Sequence, residues 1–216
     1  MIVPEKRHIQ IKSMGPGALL VEWPASISPD INGEVLALQQ LLNESNFQFH
    51  DVIPAYHSLL LEFDKDQHKK ETVEEWLMTQ LADLQVTDRT FNRWEIPVRY
   101  EGEDLETLCR QKKISKEEFT SLHSGPEYRV YFIGFLPGFL YLGGLPEILH
   151  TPRRSVPRKQ VPKGAVSIGG SQTGIYPQPS PGGWQLIGHT EFKWFDLQRE
   201  PPSLILPGDH IQFIPV

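Results

Sequence analysis

The chain contains one cysteine, Cys109, among 216 residues, which excludes an internal disulfide framework and suits a reducing compartment. Flanked by Leu108 and Arg110, that cysteine reads as a buried helix residue rather than a nucleophile. No apolar run approaches the ~20 residues of a membrane span, and the opening MIVPEKRHIQIK has nothing of a signal peptide. Cytoplasmic residence without a membrane is the expectation. Phosphate loops of the GxxxxGK[ST] kind are missing, as is any HExxH-type spacing among the eight histidines, so the sequence supports no metal site. Basic residues are also in deficit: 21 Lys and Arg against 27 Asp and Glu leave a formal charge of −6. A mostly acidic surface argues against general nucleic-acid binding.

One absence is local. Between Glu147 and Glu191 there is no Asp or Glu, while Arg153, Arg154, Arg158, Lys159 and Lys163 all lie inside the gap. The same region, Gly134 to Gly188, holds eleven of the seventeen glycines and eight of the nineteen prolines. That density excludes a long helix. Short apolar runs such as Ala165 to Ile168 and Trp184 to Ile187 read as buried strands, so the segment is expected to be loops held on a sheet. A basic patch on an acidic protein suits a small anion or an acidic partner. The plain alternative is a solvated loop.

Elsewhere the chain reads in order as an α+β unit. Strands are expected at His8 to Lys12 and Ala18 to Trp23, joined by a turn at Gly15-Pro16-Gly17. A helix follows from Asp30, with Ile31, Val35, Leu38 and Leu42 on one face and Ser28-Pro29 at its start. Strands at Gln48 to Ile53 and Ser58 to Phe63 precede a second helix, running through Leu84 and opened by a capping box at Thr72 and Glu75. Two helices on one face of a small antiparallel sheet result. A polar linker, Gln85 to Asn92, leads to a second domain, so the domains are expected at 1–88 and 89–216. There, a strand at Trp94 to Tyr100, helices at Asp104 to Lys113 and at Ser115 to Leu122, the latter with a Ser115/Glu118 capping box, and a strand at Tyr128 to Ile133 lead into the glycine-rich segment. Strands at Phe192 to Phe195, Ser203 to Leu206 and His210 to Pro215 complete a β-barrel or sandwich. His57 in the first domain reads as structural.

Gly169-Gly170-Ser171-Gln172-Thr173 nearly matches a nucleophile elbow, but Thr173 takes the last glycine's place and no helix can follow, so a serine hydrolase is rejected. What the segment offers is an anion pocket. Arg153 and Arg158 supply forked donors for carboxylate or phosphate, and Lys163 adds charge. Gly169 and Gly170 allow close backbone approach, and Gln172, Thr173 and Tyr176 supply polar groups. His189 is a candidate acid or base. Against this stands the reading that Gly and Pro only shape loops and that Arg153 and Arg158 pair with acids elsewhere.

Linked motifs add a resemblance. GFLPGFLYLGGLPEIL, the two Pro-Arg pairs at Pro152-Arg153 and Pro157-Arg158, VPKGAVSIGG, QTGIYP, SPGGW and LIGHT resemble the family that contains the B subunit of the prokaryotic 5-oxoprolinase. That family includes KipI-type inhibitors of a sporulation histidine kinase and the first allophanate hydrolase-like subunit. IPAYHSLLLEFD, IPV at Ile96 to Val98, Leu122-His123-Ser124 and LPGDHIQFIPV extend the resemblance over nearly the whole chain. It implies a small N-terminal α+β domain followed by a cyclophilin-like β-barrel. It further implies an enzyme subunit that acts with subunits C and A, opening the lactam of 5-oxo-L-proline to L-glutamate with ATP, and Mg2+ with the ATP, as co-substrate. By the same resemblance, a pocket rich in arginine and backbone N–H groups would stabilise a transferring phosphoryl group and the substrate carboxylate. The alternative is a regulatory protein that inhibits a histidine kinase. Prolyl isomerase activity would rest on fold analogy alone. Two departures stand out: His189 where the family often has arginine, and a contracted Tyr100-Glu101-Gly102-Glu103-Asp104 turn.

Overall fold

The computed structural model describes residues 9–86 and 90–216. The chain divides into two units, Met1–Arg89 and Thr90–Val216. The expected boundary between residues 88 and 89 falls on 87–89, outside the described residues, as does His8 of the expected first strand.

In the first unit, β1 (Gln10–Ser13), β2 (Ala18–Glu22), α1 (Pro29–Asn43), β3 (Phe49–Pro54), β4 (Ser58–Phe63) and α2 (Lys70–Ala82) follow one another. The sheet order is β1-β2-β4-β3, and every pairing is antiparallel. Alternation along β2 buries Leu19 and Val21, and along β4 it buries Leu59, Leu61 and Phe63; the helices cover them with Ile31, Val35, Leu38, Leu42, Val73 and Leu77. The expected α1 stripe is therefore core, and Pro29 is the first helical residue. The capping box expected at Thr72 is not one. A turn closed by the Asp66 amide on Asp64 Oδ1 delivers the chain into α2 at Lys70. Thr72 is already the third residue of α2, so the Glu75 amide lies within the helix and is no orphan donor for the Thr72 hydroxyl to cap.

The second unit begins with β5 (Arg93–Val98), α3 (Leu105–Lys112), α4 (Lys116–Ser124), β6 (Glu127–Ile133), β7 (Leu140–Gly143) and a 3-10 turn at Glu147–Leu149. It continues through β8 (Arg158–Val161), β9 (Ala165–Gly169), β10 (Gln172–Ile175), β11 (Ser180–Gly182), β12 (Gln185–His189) and β13 (His210–Pro215). Ser115 caps α4 as expected, its hydroxyl accepting from the Glu118 amide at 3.0 Å. Cys109 is buried within α3. The glycine-rich segment is more regular than loops on a sheet, since it supplies six strands, β7 to β12. The expected strands at Phe192 to Phe195 and Ser203 to Leu206 reduce to one bridge, Phe195 to Ser203. Backbone bonds from the Leu204 amide to the Trp194 carbonyl and from the Asp196 amide to the Pro202 carbonyl join the segments, but Pro201 and Pro202 have no amide with which to extend a ladder.

Seven strands form one sheet in the order β12-β9-β10-β7-β6-β13-β5, antiparallel except between β13 and β5. The two outermost strands meet. Arg99, just after β5, and His189, at the end of β12, exchange both backbone hydrogen bonds at 2.9 Å, which curls the sheet into a barrel. Side chains alternate between two cores: Leu140, Leu142, Val166, Ile168 and Ile187 face the interior with α3 and α4. Tyr141, Ala165 and Leu186 face outward into a second cluster with Phe139, Tyr176 and Trp184. The mixed α+β architecture expected from the sequence is present. Among the described residues no helix is long and apolar enough to cross a membrane.

Candidate functional site

The outward cluster opens into a cleft of about 290 Å³. Its walls are Phe139 from the β6–β7 loop, Tyr141 from β7, Tyr176 just after β10, and Trp184 just before β12; Phe135 stands at its mouth. The rings brace one another edge to face: Phe139 and Trp184 at 5.6 Å and 86°, Phe139 and Tyr176 at 4.9 Å and 81°, Tyr141 and Trp184 at 5.8 Å and 75°. Gly169 makes the arrangement possible, because a Cβ there would lie 2.8 Å from the Trp184 ring. Phe135 holds φ +65° and is 62% exposed, a backbone conformation that costs a bulky residue about 1–2 kcal/mol.

Beside this cleft lies a polar one of about 720 Å³, lined by Asp104, Thr107, Gln111, Ser155 and Gln185 among others, and Arg153 and Arg154 line both. Asp104 organises that edge. It precedes α3 but makes no side-chain cap on it. Instead its carboxylate accepts from Arg158 Nη2 at 2.7 and 2.8 Å, from Arg154 Nη1 at 3.1 Å and from the Leu186 amide at 2.6 Å. Those bonds fill the carboxylate's acceptor positions. Arg158 also donates to Glu103 at 3.2 Å and to the Trp184 carbonyl at 3.3 Å. Burial alone would lower the Arg158 pKa, but the hydrogen bonds and charges of Asp104 and Glu103 raise it. Arg158 is thus a brace between the α3 entry and the Trp184 turn, as the acid-paired reading of the sequence would have it.

Arg153 is placed differently. Its guanidinium lies 5.6 Å from the centre of the Trp184 ring. Among the described residues it has no carboxylate or hydrogen-bond partner. Tyr176 is buried on the opposite wall, where desolvation raises its pKa against the pull of the Trp184 backbone, Arg153 and Arg158. Its phenol is neutral at physiological pH.

The other candidates are dispersed. Gln172 and Thr173 are buried in β10. Thr173 belongs to a sealed chain: its hydroxyl donates to the Ser167 carbonyl at 2.9 Å and meets His123 Nε2 at 2.9 Å, while His123 Nδ1 meets the Tyr100 hydroxyl at 2.8 Å. Because Thr173 spends its proton on Ser167, His123 donates from Nε2 and Tyr100 donates to Nδ1. Burial drives the His123 pKa down to about 3 and raises that of Tyr100. The Gly170 amide donates to the Thr151 carbonyl at 2.7 Å and offers nothing to an anion. Lys163 and His189 come together, His189 Nε2 donating to the Lys163 carbonyl at 3.0 Å. They do so away from Arg153, by a separate cleft of about 120 Å³ lined by His189, Arg99 and Glu191 among others. Of the sequence candidates, then, Arg153 and Tyr176 share the aromatic cleft, with Gly169 behind its Trp184 wall.

Sequence reasoning missed Asp104 and Trp184. A carboxylate inside the contracted Tyr100–Asp104 turn was the available signal for the first, and the tryptophan closing SPGGW for the second.

Comparison with known proteins places this geometry. Residues 9–205 match the family model described as the carboxyltransferase domain, subdomain C and D. The chain is 38% identical over 223 residues to the 5-oxoprolinase B subunit of Bacillus subtilis (strain 168), covering 95% of this chain and 92% of the relative. To the protein of the same name from Escherichia coli O157:H7 it is 54% identical over 124 residues, 56% of this chain and 57% of the relative. The crystal structure of TTHA0988 superposes with a TM-score of 0.83 at 36% identity, over 96% of this chain and 40% of that one. The Kluyveromyces lactis urea amidolyase, at a TM-score of 0.79 and 19% identity over 15% of its length, shares the fold.

Proposed function

The chain belongs to the family of the carboxyltransferase domain, subdomain C and D, and we propose that it is the B subunit of an ATP-dependent 5-oxoprolinase. In this reading it works in the cytoplasm with subunits C and A to open the lactam of 5-oxo-L-proline to L-glutamate. One observation carries the reading: the likeness to a 5-oxoprolinase B subunit runs over nearly the full length of both chains. A lactam is a poor electrophile. Phosphorylation of its oxygen by ATP makes the ring carbon electrophilic: water adds there, the C–N bond breaks with the proton going to nitrogen, and a second water hydrolyses the resulting acyl phosphate to the carboxylate and phosphate.

Among the described residues, groups expected to meet a phosphate or its Mg2+ are already engaged. Asp104 is saturated by Arg154, Arg158 and the Leu186 amide, and the Gly170 amide is taken by Thr151. Among the described residues no three His, Cys, Asp or Glu side chains are grouped to hold a metal ion. In this reading a partner subunit holds the nucleotide and its Mg2+, and this chain's part is to hold the organic acid.

The test is reconstitution. The chain is purified with its candidate C and A subunits, and ATP hydrolysis dependent on 5-oxo-L-proline is measured with each subunit left out in turn. Hydrolysis that requires this chain is expected. Absence of stimulation in every combination overturns the reading, and inhibition of a histidine kinase's autophosphorylation by the chain alone would replace it with the regulatory one.

A further inference from the structure

We propose that the aromatic cleft binds a small cyclic carboxylate, with the carboxylate on Arg153 and the ring against Trp184 and Tyr176. The identity of that acid as 5-oxo-L-proline, though not the existence of the site, rests on the function proposed above.

Three arginines share the acid-free segment, and the structure separates them. Arg154 and Arg158 are neutralised by Asp104, and Arg158 by Glu103 as well. Arg153 stands over Trp184 without an acid of its own among the described residues. A cation over a ring face keeps its in-plane N–H donors free. A planar fork with free donors matches a carboxylate, two parallel bonds at a time.

The cleft sets the rest of the ligand. No acid lines it, so nothing there opposes an anion. Its volume of about 290 Å³ is at the lower limit of the ~300–1,000 Å³ of small-molecule sites, which admits a single small ring and excludes a nucleotide. Phe139, Tyr141, Tyr176 and Trp184 are held by edge-to-face contacts, so the walls are preorganised and little side-chain freedom is lost on binding. Phe135, 5.7 Å from Phe139 at 88°, keeps its strained backbone at the mouth of this cleft, where such strain commonly accompanies function.

The experiment is titration calorimetry on the full chain with four probes: 5-oxo-L-proline, cyclopentanecarboxylate, 2-pyrrolidinone and acetate. Both ring acids are expected to bind, and the lactam without a carboxylate and the carboxylate without a ring to bind at least roughly tenfold more weakly, the scale of one charged hydrogen-bonded contact. Arg153→Gln should lose a similar factor for the ring acids, Arg153→Lys should fall between, and Lys159→Gln should match the parent, all with unchanged thermal melts. Equal affinity in Arg153→Gln, equal affinity for 2-pyrrolidinone, or no binding by either ring acid overturns the proposal. Arg153-dependent binding of cyclopentanecarboxylate without 5-oxo-L-proline would keep the site and sink the proposed substrate. Hydrolysis in the assembled complex with an unchanged KM in Arg153→Gln would keep the proposed function and sink the site.

Discussion

Arg158 Nη2 donates to both oxygens of Asp104, at 2.7 and 2.8 Å, with the two side chains only 13% and 11% exposed. The pair joins the turn before α3 to the start of β8. It leaves the neighbouring Arg153 as the arginine available to a ligand.

Arg158→Ala should therefore destabilise the protein by about 2 kcal/mol, because it removes two charged hydrogen bonds from the buried Asp104 carboxylate and leaves it only Arg154 and the Leu186 amide. Arg153→Ala, at an exposed position with no acid partner, should stay within about 0.5 kcal/mol of the parent. Urea unfolding of the two variants side by side checks this, and equal losses would contradict it.

Stability should fall on acidification through His123. Its folded pKa near 3 lies below the ordinary value of 6.5, so between those limits the unfolded chain binds a proton that the folded chain refuses. The contribution is intact above pH 6.5 and is lost as pH drops, at no more than about 1.4 kcal/mol per pH unit. Urea titrations at pH 7, 6, 5 and 4 should show a shallower slope for His123→Gln than for the parent. Parallel slopes would remove His123 from the acid response.

Gly164→Ala should cost about 3 kcal/mol. Gly164 holds φ +78°, and a Cβ there would sit 2.2 Å from the Thr190 carbonyl oxygen and 2.8 Å from His189 Nε2, so left-handed strain adds to a backbone clash. A shifted His189 imidazole resonance should accompany the loss, since its bond to the Lys163 carbonyl must move. A melt unchanged from the parent would refute the clash.

Cys109 should resist thiol reagents in the folded chain. Burial and then the Glu117 charge raise its pKa, which lowers the thiolate fraction that reacts. Labelling at pH 8 should be roughly a hundredfold slower than in urea, limited by opening of the fold. Comparable rates would place the thiol in solvent.

Much of the fold was legible because its causes are local. Period-two burial in β2 and β4, the α1 stripe and the Ser115 cap each depend on residues within a few positions of one another. The Thr72 box failed because where α2 begins was decided by the turn at Asp64, and the two late strands shrank to a bridge because Pro201 and Pro202 have no amide with which to extend the ladder.

For the site, the sequence alone established a basic, acid-free segment dense in glycine and proline, hence a β-rich face able to hold an anion. Which arginine is free was decided by tertiary structure: Asp104 lies 50 residues from Arg154 and 54 from Arg158, and closure of the barrel at Arg99 and His189 separates His189 from the aromatic cleft. Thr173 was likewise taken out of reach by His123, 50 positions away. Ion pairing and burial depend on distance in space, so a pattern of residue types can establish how much charge a segment carries, but only the folded chain determines which charges are already neutralised.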